Sequence, residues 1–297
     1  MQQPDRPPAG NTGAISPTAA GSAPPGTVFR GAPVEIRALR TPAEYRACVL
    51  LQLETWGDPY SELVPASILK VVQRVGGCAV GAFDPDGALL GFVFGISGFE
   101  PGTDGALRPV HWSDMLAVRR DARDRGIGQR LKQHQRETLR MMGVERMYWT
   151  FDPLVARNAQ LNLTKLGVQV AEYAVDMYDP TNEADELYGT DRFVVSWQIA
   201  GDRATSQHMR EDRLEATMVD DMPIVNAGAE GGDETARLVR VEIPLDIAAI
   251  RDSAPETAAR WRSSTRDAFT RLLARQYTIT GFVRDQAAGR GYYLLSR

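Results

Sequence analysis

The segment Met115-Leu-Ala-Val-Arg-Arg-Asp-Ala-Arg-Asp-Arg-Gly-Ile-Gly128 constrains this chain more than any other. A short apolar strand runs into a loop, Arg123-x-x-Gly126-x-Gly128, and an amphipathic helix is expected to begin at the second glycine. A helix start leaves several backbone N–H groups unpaired and carries partial positive charge. Glycine lets a ligand come close, because no side chain stands in the way. Strand, loop and helix must therefore lie side by side, with their junction aimed at an anion of the diphosphate type.

The junction comes too late in the chain for a dinucleotide fold, following a hairpin rather than a first strand. It also lacks the Gly-Lys-Ser/Thr of a phosphate-binding loop. Upstream, Val34-Glu-Ile-Arg-Ala-Leu39 alternates as a strand, and Thr41-Pro-Ala-Glu44 opens a helix with a capping box and a proline in the first turn. That helix should end at Gly57 with Tyr45, Val49, Leu53 and Trp56 along one side; a second should follow Pro65. Two apolar runs, from Cys78 and from Ala88, flank Asp84-Pro-Asp-Gly87 and read as a β-hairpin. A strand over 110–118 is interrupted by the polar pair Ser113-Asp114. After the glycine loop, a helix placing Ile127, Leu131, Thr138, Leu139 and Met142 near one face runs to Gly143. Met147–Phe151 is a strand, Asn158 is expected to cap a short helix closed by Gly167, and strands follow near Val168 and Phe193.

The first 32 residues, rich in Pro, Ala, Gly and Ser, read as a disordered tail. Residues 201–236, rich in acidic groups, read as a linker or a solvated insertion between an α/β domain over 33–200 and a smaller β-α-β-β unit over 237–297. In that unit Ser253-Ala-Pro-Glu256 signals the helix start, Trp261, Thr265, Ala268, Phe269 and Leu272 share a face, and Arg260, Arg262 and Arg266 are expected on a solvated one. A net charge of −4 argues against nucleic acid as the partner. No apolar run has membrane-spanning length, and no apolar leader opens the chain, which points to the cytoplasm. Cys48 and Cys78 read as free buried thiols, and the three histidines are too scattered to hold a metal.

The element order and the Arg-x-x-Gly-x-Gly loop over roughly 34–200 resemble the GNAT superfamily of acyltransferases. A finer resemblance, to a longer subgroup of predicted small-molecule acyltransferases, rests on Trp149-Thr-Phe-Asp-Pro-Leu154, Arg157-Asn158, Asn162-Leu-x-Lys-Leu-Gly167, Thr190-Asp-Arg192 and Trp261-Arg262. The resemblance implies a mixed, mostly antiparallel sheet flanked by helices. It implies acyl-CoA as co-substrate, with no permanently bound cofactor. The backbone from Arg123 through Asp124, Arg125, Gly126, Ile127 and Gly128 to Gln129 would cradle the pyrophosphate. The strand Met115-Leu116-Ala117-Val118 would splay from its neighbour to hold the pantetheine arm, one N–H polarising the thioester carbonyl. Asn158 would contact the same arm. The implied reaction passes an acetyl or succinyl group to the amine of a small metabolite such as an amino acid, by direct attack. A homodimer through the last strands is compatible with it.

Two positions depart from the family pattern: Asp124 stands where a glycine is usual, and Leu163 where many members carry the tyrosine that protonates the leaving thiolate. Tyr173 is then the first candidate acid and Tyr178 the second. An ammonium substrate must lose a proton before it can attack, and Asp114, then Asp152, are the candidate bases. Trp149 could line the amine pocket, along with Trp56 and Trp197, and Arg192 could clamp a substrate carboxylate bidentately. These departures also define the alternative, a non-catalytic acyl-CoA sensor or partner-binding module.

Overall fold

A computed structural model describes residues 33–57, 62–180, 183–199, 222–226 and 236–297. The expected tail over 1–32 and most of the expected linker lie outside the described residues. The chain forms β1 (Glu35–Ala38), α1 (Pro42–Trp56), α2 (Ala66–Arg74), β2 (Cys78–Phe83), β3 (Leu89–Pro101) and β4 (Leu107–Val118). Then follow α3 (Ile127–Met141), β5 (Arg146–Phe151), α4 (Ala156–Ala159) running into a π-helical turn (Gln160–Leu166), β6 (Gln169–Ala174), α5 (Glu183–Tyr188) and β7 (Arg192–Gln198). The remainder is β8 (Leu238–Pro244), α6 (Ile247–Ser253), α7 (Pro255–Ala274), β9 (Thr278–Asp285) and β10 (Arg290–Ser296). Among the described residues no helix is long and apolar enough to cross a membrane.

Local chemistry explains most boundaries. Thr41 and Glu44 form the reciprocal capping box of α1, with Pro42 in the first turn. The buried side of α1 is Tyr45, Cys48, Leu51 and Gln52, so the expected stripe is rotated, and Trp56 turns outward. Gln52 causes part of that rotation: its amide exchanges two hydrogen bonds with the Val64 backbone. Ser253 does not cap α7; its hydroxyl donates back to Ala249, Ala254 is the cap residue, and Pro255 starts the helix.

Seven strands form one sheet in the order β1-β2-β3-β4-β5-β7-β6, antiparallel except for β4 and β5. The C-terminal strands form a separate sheet, β8-β10-β9, rather than extending the first. The two sheets nevertheless share one hydrophobic core. Phe193 of β7, fully buried, meets the rings of Phe151, Tyr173, Phe269 and Tyr293, which come from β5, β6, α7 and β10. The described part of the expected linker is not solvated either. Met222 packs with Tyr292 and Leu294, and the Asn226 amide pairs with the Glu242 backbone.

Two features of the large sheet make a site. Pairing of β3 with β4 shifts register between Phe94 and Ile96, a bulge of β4 that sets Ser113 and Asp114 opposite Gly95. A Cβ there would lie 2.3 Å from His111 Nε2 and 2.5 Å from the Trp112 carbonyl oxygen, so only glycine fits. On its other side, β4 pairs with β5 only from Val110 to Trp112. Beyond that point the β5-facing backbone groups of 113–118 find no ladder partner on β5, and a gap opens between the strands.

Candidate active site

A cavity of about 780 Å³ occupies this gap. Ser113, Asp114, Met115 and Leu116 all line it, as do Trp149, Thr150 and Phe151. Successive residues on a strand face opposite sides of a sheet. Residues of both faces of the sheet therefore line the cavity, at the splay that the sequence resemblance implies for this strand.

Beside the gap, the glycine loop takes the form its sequence requires. Gly126, not Gly128, marks the start of α3: its φ of 74° is left-handed, Ile127 is the first helical residue, and no side chain caps the N-terminus. Asp124 has φ 61°. Its position needs a left-handed backbone, which explains both the usual glycine and the aspartate, one of the few other residues that tolerate it. The Asp124 side chain is exposed, and Arg123 Nε donates to the Val118 carbonyl, tying the loop to the end of β4. Gly128 sits against Leu116 and Val118, where an added Cβ would be 3.4 Å from Leu116 Cδ2. Asn158 lines the cavity as expected. It is the third residue of α4 rather than its cap, which is Val155.

Of the candidate bases, Asp114 is free to act on the cavity. Its carboxyl is raised from the ordinary range, first by desolvation against the wall and then by the like charge of Glu62, while a hydrogen bond with Trp112 opposes the shift. Asp152 also lines the cavity, but both of its oxygens are occupied. One accepts the Leu154 N–H at 2.8 Å and the other the Arg262 guanidinium at 2.8 Å. As a base it is corrected: this carboxylate is one half of a largely buried ion pair.

Tyr173 is corrected too. It is not among the residues lining the cavity; its hydroxyl donates to Asp191, and its ring packs on Phe193 and Phe269. Burial, then the Asp191 hydrogen bond, raise its phenol far above the usual value, so it holds its proton. Burial alone would raise Asp191, but hydrogen bonds from Arg266 and Tyr173 overcome it and hold that carboxyl low. Tyr178 does face the cavity, its hydroxyl 3.0 Å from Thr150 Oγ1 and its ring under Arg192. Leu163, at the usual tyrosine position, is part of the core.

Trp149, Arg192 and Trp56 line the cavity; Trp197 instead packs edge-on behind Trp149. The expected solvated arginine face of α7 holds at Arg260, which is exposed, and is corrected at the other two positions. Arg262 is buried, and Arg266 pairs with Asp176 and Asp191.

The sequence reading missed Lys132. It faces the cavity from α3, buried, with Nζ 3.8 Å from the centre of the Trp149 ring and 2.7 Å from Ser113 Oγ. No carboxylate pairs with it among the described residues, and burial drives its pKa well down. Ser113 passes the contact to Gln135 (2.8 Å), which reaches His111 (3.0 Å) and, through it, Ser97 (3.0 Å). Burial, then Lys132, hold His111 neutral by lowering its pKa to about 3. Periodicity carried a signal: Lys132 and Gln135 fall on the buried side of α3 with Ile127, Leu131 and Leu139, where polar residues need a reason. Cys48 and Cys78 are buried free thiols, raised to about 12 by burial. Among the described residues no His, Cys, Asp or Glu cluster could hold a metal.

No family model and no curated protein matches the chain. Solved structures do. An N-acetyltransferase from Staphylococcus aureus Mu50 aligns at 15% identity over 57% of this chain and 99% of its own, TM-score 0.45. A GNAT superfamily phosphinothricin acetyltransferase from Sinorhizobium meliloti, in complex with AcCoA, aligns at 15% over 58% and 91%, TM-score 0.45. The ribosomal-protein-S18-alanine N-acetyltransferase from Escherichia coli aligns at 17% over 57% and 97%, TM-score 0.41. By its own strand order, the β4 bulge opposite Gly95 and the splay of β4 from β5 beside a glycine-led helix, residues 33–199 have the GNAT-type fold that the sequence resemblance implies.

Proposed function

We propose that the chain transfers an acyl group from acyl-CoA to the amino group of a small metabolite such as an amino acid. The observation that carries this reading is the cavity in the gap between β4 and β5, lined by residues of both faces of the sheet, with the uncapped start of α3 beside it. An extended thioester would enter from the α3 side with its pyrophosphate on the N–H groups from Arg123 to Gln129. Its arm would lie along Leu116-Ala117-Val118, near Asn158, and an unpaired β4 N–H would meet the thioester carbonyl. From the other face the amine would meet Asp114, which takes the ammonium proton. The nitrogen lone pair then forms the C–N bond, the C–S bond breaks, and the second proton shed by the nitrogen passes, directly or through Tyr178 or water, to the departing thiolate. A thiol with an ordinary pKa near 8.5 leaves tolerably near neutrality, so a dedicated acid is not essential.

Calorimetric titration with acetyl- and succinyl-CoA, alongside thiol release over a panel of amino acids and amines, tests the proposal. Tight binding without turnover would leave the sensor reading in its place; absence of binding would end both. Gly126→Val supplies a local check. Holding a β-branched residue left-handed costs about 1–2 kcal/mol, so the turn should abandon that conformation and misdirect the N–H groups. Acyl-CoA affinity should fall at least tenfold while the far-UV spectrum is kept; unchanged affinity would move the pyrophosphate elsewhere.

A further inference from the structure

At the far end of the cavity lies a recess of about 50 Å³ that shares Asp152, Thr190, Arg192 and Arg251 with it. Three guanidinium groups border the recess: Arg192 from β7, Arg251 from α6 and Arg262 from α7. Against them stands one carboxylate, Asp152, which leaves a net charge of two positives. Arg262 is 6% exposed. Its Nε donates to the Tyr188 carbonyl and its Nη2 to Asp152, both at 2.8 Å, but Nη1 is buried with no acceptor among the described residues. A buried guanidinium N–H without an acceptor is costly, and native proteins rarely leave one so. Arg251 stacks over the Tyr188 ring at 4.6 Å, and among the described residues Arg192 donates to the Asp191 carbonyl and to no carboxylate. The room is that of a few water molecules, which suits a carboxylate. The rest of the cavity has the carboxylates Glu62, Asp114 and Asp179 on its walls, against the single amine of Lys132.

We propose that this recess binds a carboxylate carried by a substrate of the cavity, and that the C-terminal α6–α7 segment is present to supply two of its three arginines. The assignment deepens the acyl-transfer reading and rests on it for the identity of the carrier. That carboxylate belongs either to the acceptor, an amino acid whose ammonium group then points to Asp114, or to the distal end of a dicarboxylic acyl group. Both put the same chemistry into the recess.

The test uses the full-length protein and its Arg251→Gln variant; Arg251 is exposed, so the substitution leaves the core intact, whereas an Arg262 variant would strand Asp152. Succinate, but not the uncharged succinamide at equal ionic strength, should raise the melting temperature, and Arg251→Gln should weaken that succinate binding about tenfold. Arg192→Gln should do the same. No succinate effect, or an equal one in the variants, overturns the proposal whether or not any amine is turned over. The source is then read from kcat/KM. If the acceptor carries the group, Arg251→Gln erases the preference for an amino acid over its decarboxylated amine; if the donor carries it, the variant erases that for succinyl- over acetyl-CoA. A loss equal for carboxylate-bearing and carboxylate-free pairs also overturns it. Acyl-CoA titration stands apart: succinate binding that needs Arg251 in a protein that ignores acyl-CoA would uphold the recess and refute acyl transfer.

Discussion

Asp114→Asn should lower acyl transfer by roughly 10²–10³-fold, the range expected when a positioned proton acceptor is removed, while acyl-CoA binds as before. The asparagine amide keeps the shape but cannot take a proton from the ammonium substrate. The carboxylate is the active form, and desolvation with Glu62 raises the Asp114 carboxyl. Wild-type kcat/KM should therefore climb with pH through a value above the ordinary aspartate range, and that limb should vanish in the variant. Stability has the opposite sign. The fold favours protonated Asp114, so its contribution falls as pH rises from the ordinary value through the raised one. At neutral pH the variant should melt no lower than wild type. Lys132→Met is the informative partner, because Lys132 is a buried amine on the same wall, in contact with Ser113 beside Asp114. If it abolishes turnover and the pH limb while Asp114→Asn spares both, the base is the amine and not the carboxylate.

Phe193→Ala should cost about 3–5 kcal/mol, the range for emptying a fully buried aromatic site. The position is demanding because its ring meets four others, one each from β5, β6, α7 and β10. No single neighbour can move in without breaking its own contacts. Tyr293, for instance, is tied by its hydroxyl to the Pro153 carbonyl at 2.7 Å. Since the ring joins the two sheets, urea unfolding should stay a single transition with a lower midpoint. A loss below about 1 kcal/mol, or two separate transitions, would show that the sheets do not depend on this seam.

Where chemistry is local, the sequence was legible. The Thr41–Glu44 capping box, the hairpin between β2 and β3 and the turn into α3 each act over a few residues, so residue types alone specify them. Burial stripes were less legible. Gln52 replaced an apolar residue on the inner side of α1 because a backbone partner at Val64 awaited it. The same held for Lys132 and Gln135, whose partners Ser113 and His111 lie on a strand about twenty residues away. A polar residue can be buried only where a distant partner satisfies it, and hydrophobic periodicity does not record distant partners.

The candidate site divides along the same line. Asp114, Trp149, Asn158 and Arg192 line the cavity; strand position nominated Asp114 and Trp149, the family resemblance nominated Asn158, and the Thr-Asp-Arg motif nominated Arg192. Asp152 and Tyr173 were equally good nominations by residue type. Arg262 and Asp191, 110 and 18 residues away, took their hydrogen bonds, which leaves Asp152 on the wall as half of an ion pair and Tyr173 outside the cavity.

By itself the sequence determined the strand–loop–helix junction at 115–128, because glycine conformations, helix ends and strand alternation are short-range properties. The left-handed backbone at Asp124 and Gly126 shows that junction formed from local preference. Only the tertiary structure decided what faces it. Separation of β4 from β5 after Trp112 opened the gap, and packing of a second sheet through Phe193 carried Arg251 and Arg262 to the far end of the cavity. Those juxtapositions depend on burial and charge pairing between residues far apart in the chain, which become neighbours only once the core has closed.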